Sequence, residues 1–364
     1  MKNYNLYMKK AITLAKKGEG KVSPNPLVGA IVLDSKNKII GKGWHKKYGE
    51  AHAEVNAIKN AIKNGYDCKG ATIVVTLEPC SHFGKTPPCA DLIIEKGFKK
   101  VIIGCTDPNP IVAGNGIKKL KRAGIEVITG TLEEDCRQLN EIFFKNQLKK
   151  MPFIAIKTAT TMDGKIATKT GSSKWITSEK ARKDVQKLRN KYDAILTGSG
   201  TIIADNPSLT CRMKNGKNPI RIIIDSQLKT SPKANVYKND KTKVYIAIKE
   251  TTKIKSFPLN VEFIKCKTIN EKIDLTDLVL KLYEKGIRSI LIEAGGKLNG
   301  EFIKKHLADK IYQYIAPKIT GDNESKTFLS GFDTKDINKS IELSLKSTKM
   351  LIPDLRLESY IQYI

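Results

Sequence analysis

The sequence predicts two α/β domains with largely parallel sheets, residues 1–150 and 151–364. Three observations carry this. Strand and helix patterns alternate along nearly the whole chain, which favours a strand layer flanked by helices. The chain has 364 residues, beyond the ~100–200 usual for one domain. A long helical stretch, Glu133 to Lys150, ends at Met151-Pro152, and the residue before proline avoids the helix. The composition is 40% hydrophobic and 28% charged, with 14 Pro and 26 Gly. It gives each half material for a core and excludes collagen-like, low-complexity and disordered chains.

Leu6, Ile12, Leu14 and Ala15 fit an opening amphipathic helix, broken by Ser23-Pro24-Asn25-Pro26. Leu27–Leu33 is apolar throughout and reads as a buried strand, with a hairpin partner from Lys38 to Gly43. His52–Asn64 has helical spacing at Val55, Ile58, Ala61 and Ile62. Strands are expected at Ala71–Thr76, Val101–Gly104 and Glu126–Ile128, with helices at Ala90–Lys96 and Ile117–Ala123 between them. After Pro152 come strands at Phe153–Thr158, Ala194–Thr197, Ile220–Asp225, Val244–Ile248 and Ser289–Glu293. Helices are expected at Glu179–Asn190 and Asp274–Lys285, and further strands at Asp309–Ala316 and Leu351–Ile364. No internal repeat links the halves.

The formal net charge is +28, from 65 basic and 37 acidic residues. Such an excess raises nucleic acid or an anionic membrane as a partner. Only 8 of the basic residues are Arg, however, so the planar fork that reads phosphates and bases is scarce. No run of five like charges forms a tail, and the lysines read as ordinary solvated faces. The start of the chain lacks a signal-peptide core, and no apolar stretch reaches the ~18 residues of a membrane span. A cytoplasmic location with reduced thiols is expected for the 7 Cys, so clustered Cys suggests metal before disulfide.

The cluster is present. His52-Ala53-Glu54 is followed by Glu78-Pro79-Cys80 and then by Cys89. A catalytic zinc takes three protein ligands and leaves its fourth position to water, whose pKa falls towards ~7. His52, Cys80 and Cys89 supply three ligands. Glu54, near a helix start, can shuttle a proton onto a leaving amine without binding the metal. This set is what hydrolytic deamination requires, although the usual P-C-x-x-C spacing is replaced by a longer Cys80–Cys89 insertion. A closed zinc clip would need a fourth ligand, and His82 is awkwardly placed for one. His45 reads as structural or pocket rim, His306 as helix surface, and Cys68, Cys105, Cys136, Cys211 and Cys266 as semi-buried thiols.

The second half offers two Gly-rich turns after strands, Thr197–Thr201 and Glu293–Gly300. Such turns let backbone N–H groups approach phosphates. Neither is the G-x-G-x-x-G of an ordinary Rossmann site, and tight strand–helix turns would look the same. Trp175 alone would read as core.

With S-P-N-P-L-V-G (23–29), H-A-E and E-P-C-S-H-F-G-K-T-P-P-C (78–89), the chain resembles the bifunctional riboflavin biosynthesis deaminase/reductase family. T-M-D-G-K-I-A (161–167), S-S-K-W-I-T-S (172–178), G-T-I-I-A-D-N-P-S-L-T (200–210) and L-I-E-A-G-G (291–296) resemble its reductase half. The likeness covers roughly residues 5–360. It implies a cytidine-deaminase-like three-layer α/β/α domain followed by a dihydrofolate-reductase-like α/β domain. It implies zinc on His52, Cys80 and Cys89, Glu54 as catalytic proton shuttle, and Asn25, His82 and Lys85 at the pyrimidine substrate. The family often has Arg where this chain has Lys85. In the second half the resemblance implies NADPH contacts at Ala159, Trp175, Thr201, Asp205, Ser226, Gly295, Gly296, Lys297, Leu298, Asn299, Gly300 and Glu301. Substrate contacts are implied at Ser173, Arg189, Leu209, Arg212 and Glu293.

The implied reactions are zinc-dependent deamination of a diaminopyrimidinone ribosyl phosphate and NADPH-dependent reduction of its ribosyl group to ribityl. The expected partner is a small phosphorylated pyrimidine, with neither nucleic acid nor membrane, and a homo-oligomer is expected. The rivals are a nucleic-acid deaminase with a basic second domain, favoured by charge, and a non-catalytic zinc scaffold.

Overall fold

The structure is a computed structural model and describes residues 4–83, 87–109, 113–238 and 241–363. The chain divides into two compact units, Met1–Lys150 and Met151–Ile364.

The first unit runs α1 (Asn5–Ala15), β1 (Gly29–Leu33), β2 (Ile39–Trp44), α2 (Ala53–Lys63), β3 (Thr72–Leu77), α3 (Cys89–Glu95), β4 (Lys100–Cys105), α4 (Asn115–Arg122), β5 (Glu126–Ile128), α5 (Glu133–Leu139) and α6 (Glu141–Lys149). Its five-stranded sheet has the order β2-β1-β3-β4-β5. The β1–β2 and β1–β3 pairs are antiparallel, and β3–β4 and β4–β5 are parallel. Side chains alternate across a strand. Ile73, Val75, Val101 and Ile103 therefore meet Ala57, Ile58, Ile93 and Leu120 on one face, while Val74 and Ile102 meet Met8, Cys136 and Phe144 on the other. Both faces are covered, which is why these strands read as unbroken apolar runs. This is the cytidine-deaminase-like three-layer arrangement.

The single helix expected from Glu133 to Lys150 is two helices broken at Asn140. That side chain accepts the Leu27 N–H (2.7 Å) and donates to the Leu27 carbonyl (2.9 Å). Asn140 is 3% exposed, so its amide is committed to these bonds.

The second unit runs β6 (Phe153–Thr161), β7 (Lys165–Ala167), α7 (Glu179–Lys191), β8 (Ala194–Gly198), α8 (Ser199–Asp205), β9 (Ile220–Ile224), β10 (Val244–Lys249), β11 (Val261–Cys266), β12 (Thr268–Ile269), β13 (Lys272–Ile273), α9 (Leu275–Glu284), β14 (Ser289–Ile292), α10 (Gly296–Lys304), β15 (Lys310–Ala316), β16 (Lys326–Thr327), β17 (Glu342–Leu351) and β18 (Asp354–Gln362). Nine strands form one sheet in the order β11-β10-β9-β8-β14-β6-β15-β18-β17. Neighbours from β11 to β15 are parallel, and β18 and β17 close the sheet antiparallel. This is the dihydrofolate-reductase-like layout. The one C-terminal strand expected over Leu351–Ile364 is a hairpin, because Leu351 pairs with Asp354 across a tight turn. His306 lies past the end of α10 in left-handed backbone (φ 54°), its ring stacked on Tyr363 at 4.3 Å. Cys68, Cys105, Cys136 and Cys266 are buried outright.

A buried ionic cluster ties α7 to the hairpin. Asp184, 3% exposed, accepts hydrogen bonds from Tyr314 (2.9 Å), Arg356 (2.8 Å) and Lys349 (2.6 Å). Burial alone would raise its carboxyl; the bonds from Lys349 and Tyr314 and the charge of Arg356 outweigh it and hold the pKa below the usual value. A folded-state pKa below the unfolded one gives stability that is complete above the unfolded value, about 3.9, and lost as acid protonates the folded form. The urea midpoint of the second unit is therefore expected to fall as pH drops below about 5. Asp184→Asn should flatten that slope; an unchanged slope would show that the cluster does not carry it.

Candidate metal centre and reductase cleft

His52 is the N-cap residue of α2, in extended backbone (φ −69°, ψ 167°), and Glu54 lies in the first turn. Cys80 follows the end of β3, and Cys89 opens α3. His52 Nδ1 is 3.3 Å from Cys89 Sγ and 3.6 Å from Cys80 Sγ. The Cys89 N–H points at Cys80 Sγ, 3.3 Å away. Zn–N and Zn–S bonds of ordinary length on a tetrahedral ion place N and S about 3.6 Å apart. The three donors therefore fit one zinc. Among the described residues they are the one group of His, Cys, Asp or Glu side chains that could hold a metal. His82 is exposed and outside it, so no fourth ligand closes the set. Lys85 lies outside the described residues.

Glu54 is 3% exposed. Burial, then the nearby Cys80, pushes its carboxyl up to about 7. Cys80 is drawn down, first by its bond with Cys89, so it is the readier thiolate. His45, 2% exposed, stands edge-on to His52 with ring centroids 5.6 Å apart. Its Nδ1 faces the Ala51 carbonyl (3.2 Å) and its Nε2 faces Asn25 Nδ2 (3.3 Å). His45 thus fixes the Asn25 side chain, a link the sequence did not reveal. Asp107 is another omission. Burial lifts its carboxyl to about 6, although the Asn109 N–H partly counters this.

In the second unit, β9, β8, β14 and β6 are adjacent and parallel, so their carboxyl ends share one edge. Ligands of open α/β sheets bind at that edge. Thr201 and Asp205 follow β8 on α8, Ser226 follows β9, and the Gly295 turn follows β14. Ala159 lies three residues beyond Ile156, the last β6 residue paired with β14. Gly198 and Gly295 are extended N-cap residues of α8 and α10 without side-chain caps. A Cβ at Gly295 would meet nothing within 4 Å, so open space lies before the start of α10, whereas one at Gly198, before α8, would meet the Leu298 side chain at 3.5 Å. The uncapped start of α10, next to open space, suits the pyrophosphate of NADPH.

The rest of the turn is different. A Cβ at Gly296 would lie 2.4 Å from the Thr327 carbonyl oxygen, and one at Gly300 would lie 2.0 Å from that of Ser330. Asn299 is fully buried and donates to the Ala294 and Phe328 carbonyls, at 3.3 and 2.8 Å. The Glu301 carboxylate faces Lys272 at 3.8 Å. Gly296, Asn299 and Gly300 thus pack against the 327–330 segment. Lys297 and Leu298 complete the first turn of α10.

Trp175 is 61% exposed rather than core, with the Arg182 guanidinium 4.4 Å over its ring. Ser173 is half-buried two residues away, and Leu209 is buried in left-handed backbone (φ 51°). Arg212 is exposed. Arg189 is not a free fork. It donates to both Glu293 oxygens (2.8 and 3.0 Å) and to the Thr210 carbonyl (2.9 Å). Lys157, which the sequence did not single out, lies 3.6 Å from the same carboxylate. Burial opposes the Glu293 charge, but Arg189 and Lys157 overcome it and hold the pKa at about 2.

Two family models match the chain: the cytidine and deoxycytidylate deaminase zinc-binding region over residues 1–105, and the RibD C-terminal domain over residues 152–357. The riboflavin biosynthesis protein RibD of Actinobacillus pleuropneumoniae is 45% identical over 97% of this chain and 94% of its own length. The chain belongs to the RibD family. RibD of Escherichia coli K12 is 39% identical over 87% of this chain and 88% of its own. A solved RibD-family structure from Thermotoga maritima, a diaminohydroxyphosphoribosylaminopyrimidine deaminase/5-amino-6-(5-phosphoribosylamino)uracil reductase, superposes with a TM-score of 0.87, at 41% identity and 99% coverage of both chains. Acinetobacter baumannii RibD gives a TM-score of 0.87 at 34% identity, again over 99% of both chains. As a RibD-family member this chain is a bifunctional deaminase and reductase of riboflavin biosynthesis, with zinc and NADPH as its cofactors. No helix of the described residues is long and apolar enough to cross a membrane.

Proposed function

We propose that residues 1–150 deaminate a 2,5-diamino-6-ribosylamino-pyrimidinone 5'-phosphate, and that residues 151–364 then reduce the ribosyl group to ribityl. The observation that supports this best is the convergence of His52, Cys80 and Cys89 beside the buried Glu54. Those three residues would hold the zinc, which would lower the pKa of the water that replaces the amine. Glu54, buried beside that position, takes the proton that this water gives up and hands it to the departing amine nitrogen. Asn25, oriented by His45, and His82 line the pyrimidine, and Lys85 meets the phosphate.

In the second unit bound NADPH would supply the hydride to C1 of the ribose. The chain's part is to hold that carbon against the nicotinamide. The start of α10 receives the pyrophosphate, and Ala159, Trp175, Thr201, Asp205 and Ser226 flank the cofactor. Ser173, Leu209 and Arg212 hold the phosphosugar, with the exposed Arg212 fork as the available phosphate ligand. Arg189 and Glu293 reach the substrate as a pair. The active protein is a cytoplasmic homo-oligomer that binds neither nucleic acid nor membrane.

NADPH oxidation should depend on the deaminated intermediate; oxidation indifferent to it would overturn the scheme. Stripping zinc with a chelator should abolish deamination and leave reduction of supplied intermediate intact. Zinc add-back should restore the first step alone.

A further inference from the structure

Glu78 is also a buried carboxylate of the first unit, 3% exposed, and the scheme above does not use it. It follows the last residue of β3, and its own N–H donates to the Cys105 carbonyl (3.0 Å) at the end of β4. Its carboxylate accepts three main-chain N–H groups. Oε2 takes those of Asp107 (3.2 Å) and Gly114 (3.0 Å), and Oε1 takes that of Ile117 (3.2 Å) in the first turn of α4. Bonds to an ionised acceptor are the stronger kind, and burial removes competing water. Three such bonds to separated points fix their spacing.

The next two residues extend the joint. The Pro79 carbonyl oxygen lies where a Cβ on Gly116 would be 2.1 Å away, so α4 begins directly on this turn. Cys80 then presents its sulfur, while its carbonyl accepts the Ala90 N–H (3.1 Å) of α3.

We infer that Glu78 is a positioning residue for deamination. It locks the Cys80 turn and the main chain at Asp107, Gly114 and Ile117 into one rigid piece. It thereby sets how firmly the metal is held and how the pyrimidine fits, while touching neither. This rests on Cys80 being a zinc ligand.

The test uses the full chain. Zinc content of the wild type is measured first, and a chain that binds no zinc removes the ligand assignment itself. Glu78→Gln keeps the size but turns an NH2 group towards main-chain donors. It is expected to release zinc to a chelator about tenfold faster, the scale typical of groups that orient ligands. With zinc saturating, KM for deamination should rise about tenfold while kcat stays within about threefold, the mark of lost binding rather than lost chemistry. Amide exchange should accelerate at Asp107, Gly114 and Ile117 but not in β3 or β4. Glu78→Asp, which keeps the charge on a shorter arm, should fall between wild type and Gln, and it carries the same measurements should Gln not fold. A zinc-loaded chain whose zinc release and KM are indifferent to these substitutions overturns the brace and leaves the ligand assignment standing.

Discussion

Glu54→Gln is expected to lower deamination by about 10²–10⁴-fold, the usual contribution of a positioned proton-transfer group. Zinc content should not change, because Glu54 is outside the ligand group. The fold should also tolerate the change. Glu54 is 3% exposed, and burial disfavours its charge, so a neutral amide of the same shape should be accommodated. Reduction of supplied intermediate by the same chain should continue. Deamination at the wild-type rate with zinc in place would remove Glu54 from the mechanism.

The second large effect belongs to the Arg189–Glu293 pair, whose side chains are 11% and 12% exposed. Removing one member leaves a buried charge without its partner, which typically costs about 3–5 kcal/mol. Glu293→Leu leaves Arg189 and Lys157 facing each other and should destabilise the second unit on that scale, with loss of reduction. Arg189→Met leaves Glu293 with Lys157 alone and should cost less. The double variant should recover most of the stability, since well-packed apolar residues often replace a buried pair without loss. It should not recover reduction. Denaturation midpoints and NADPH oxidation, measured on all three variants, separate the two roles; a double variant that reduces substrate normally would confine the pair to folding.

The metal centre was legible because its chemistry is written in residue type and spacing. His52-x-Glu54 and Pro79-Cys80 are local patterns, and each sits where a strand or helix begins or ends. Strands such as Ile73–Val75 were legible because burial on both faces leaves no polar position. The break at Asn140 was not. An asparagine inside a helical pattern is unremarkable until its amide finds the Leu27 peptide, and that contact is tertiary. The pairing of Arg189 with Glu293 spans 104 residues and leaves no local trace, so two residues read as separate substrate contacts prove to be one unit. Lys157 was hidden in an apolar strand for the same reason. Glu78 did have a signal. A carboxylate at the end of a wholly buried strand must find donors, but the N–H groups it finds lie 29, 36 and 39 residues further on, after β4 and at the start of α4, where no local pattern points to them. The Gly-rich turn after β14 mixed two requirements, open approach at Gly295 and close packing at Gly296 and Gly300, which the letters alone do not separate.

The bond between Asn140 and Leu27 bears on where a free-standing deaminase could be cut. The zinc-binding family region ends at residue 105, yet the loop carrying Asn25 is anchored by a side chain 113 residues further along the sequence than Leu27. A fragment stopped at the end of that region would keep His52, Cys80 and Cys89 and lose the anchor of the loop that carries Asn25. It would also lose Cys136 and Phe144, which cover one face of the sheet. The smallest autonomous piece therefore extends through α6. The two terminal helices of the first unit are thus part of what holds its sheet and its Asn25 loop in place.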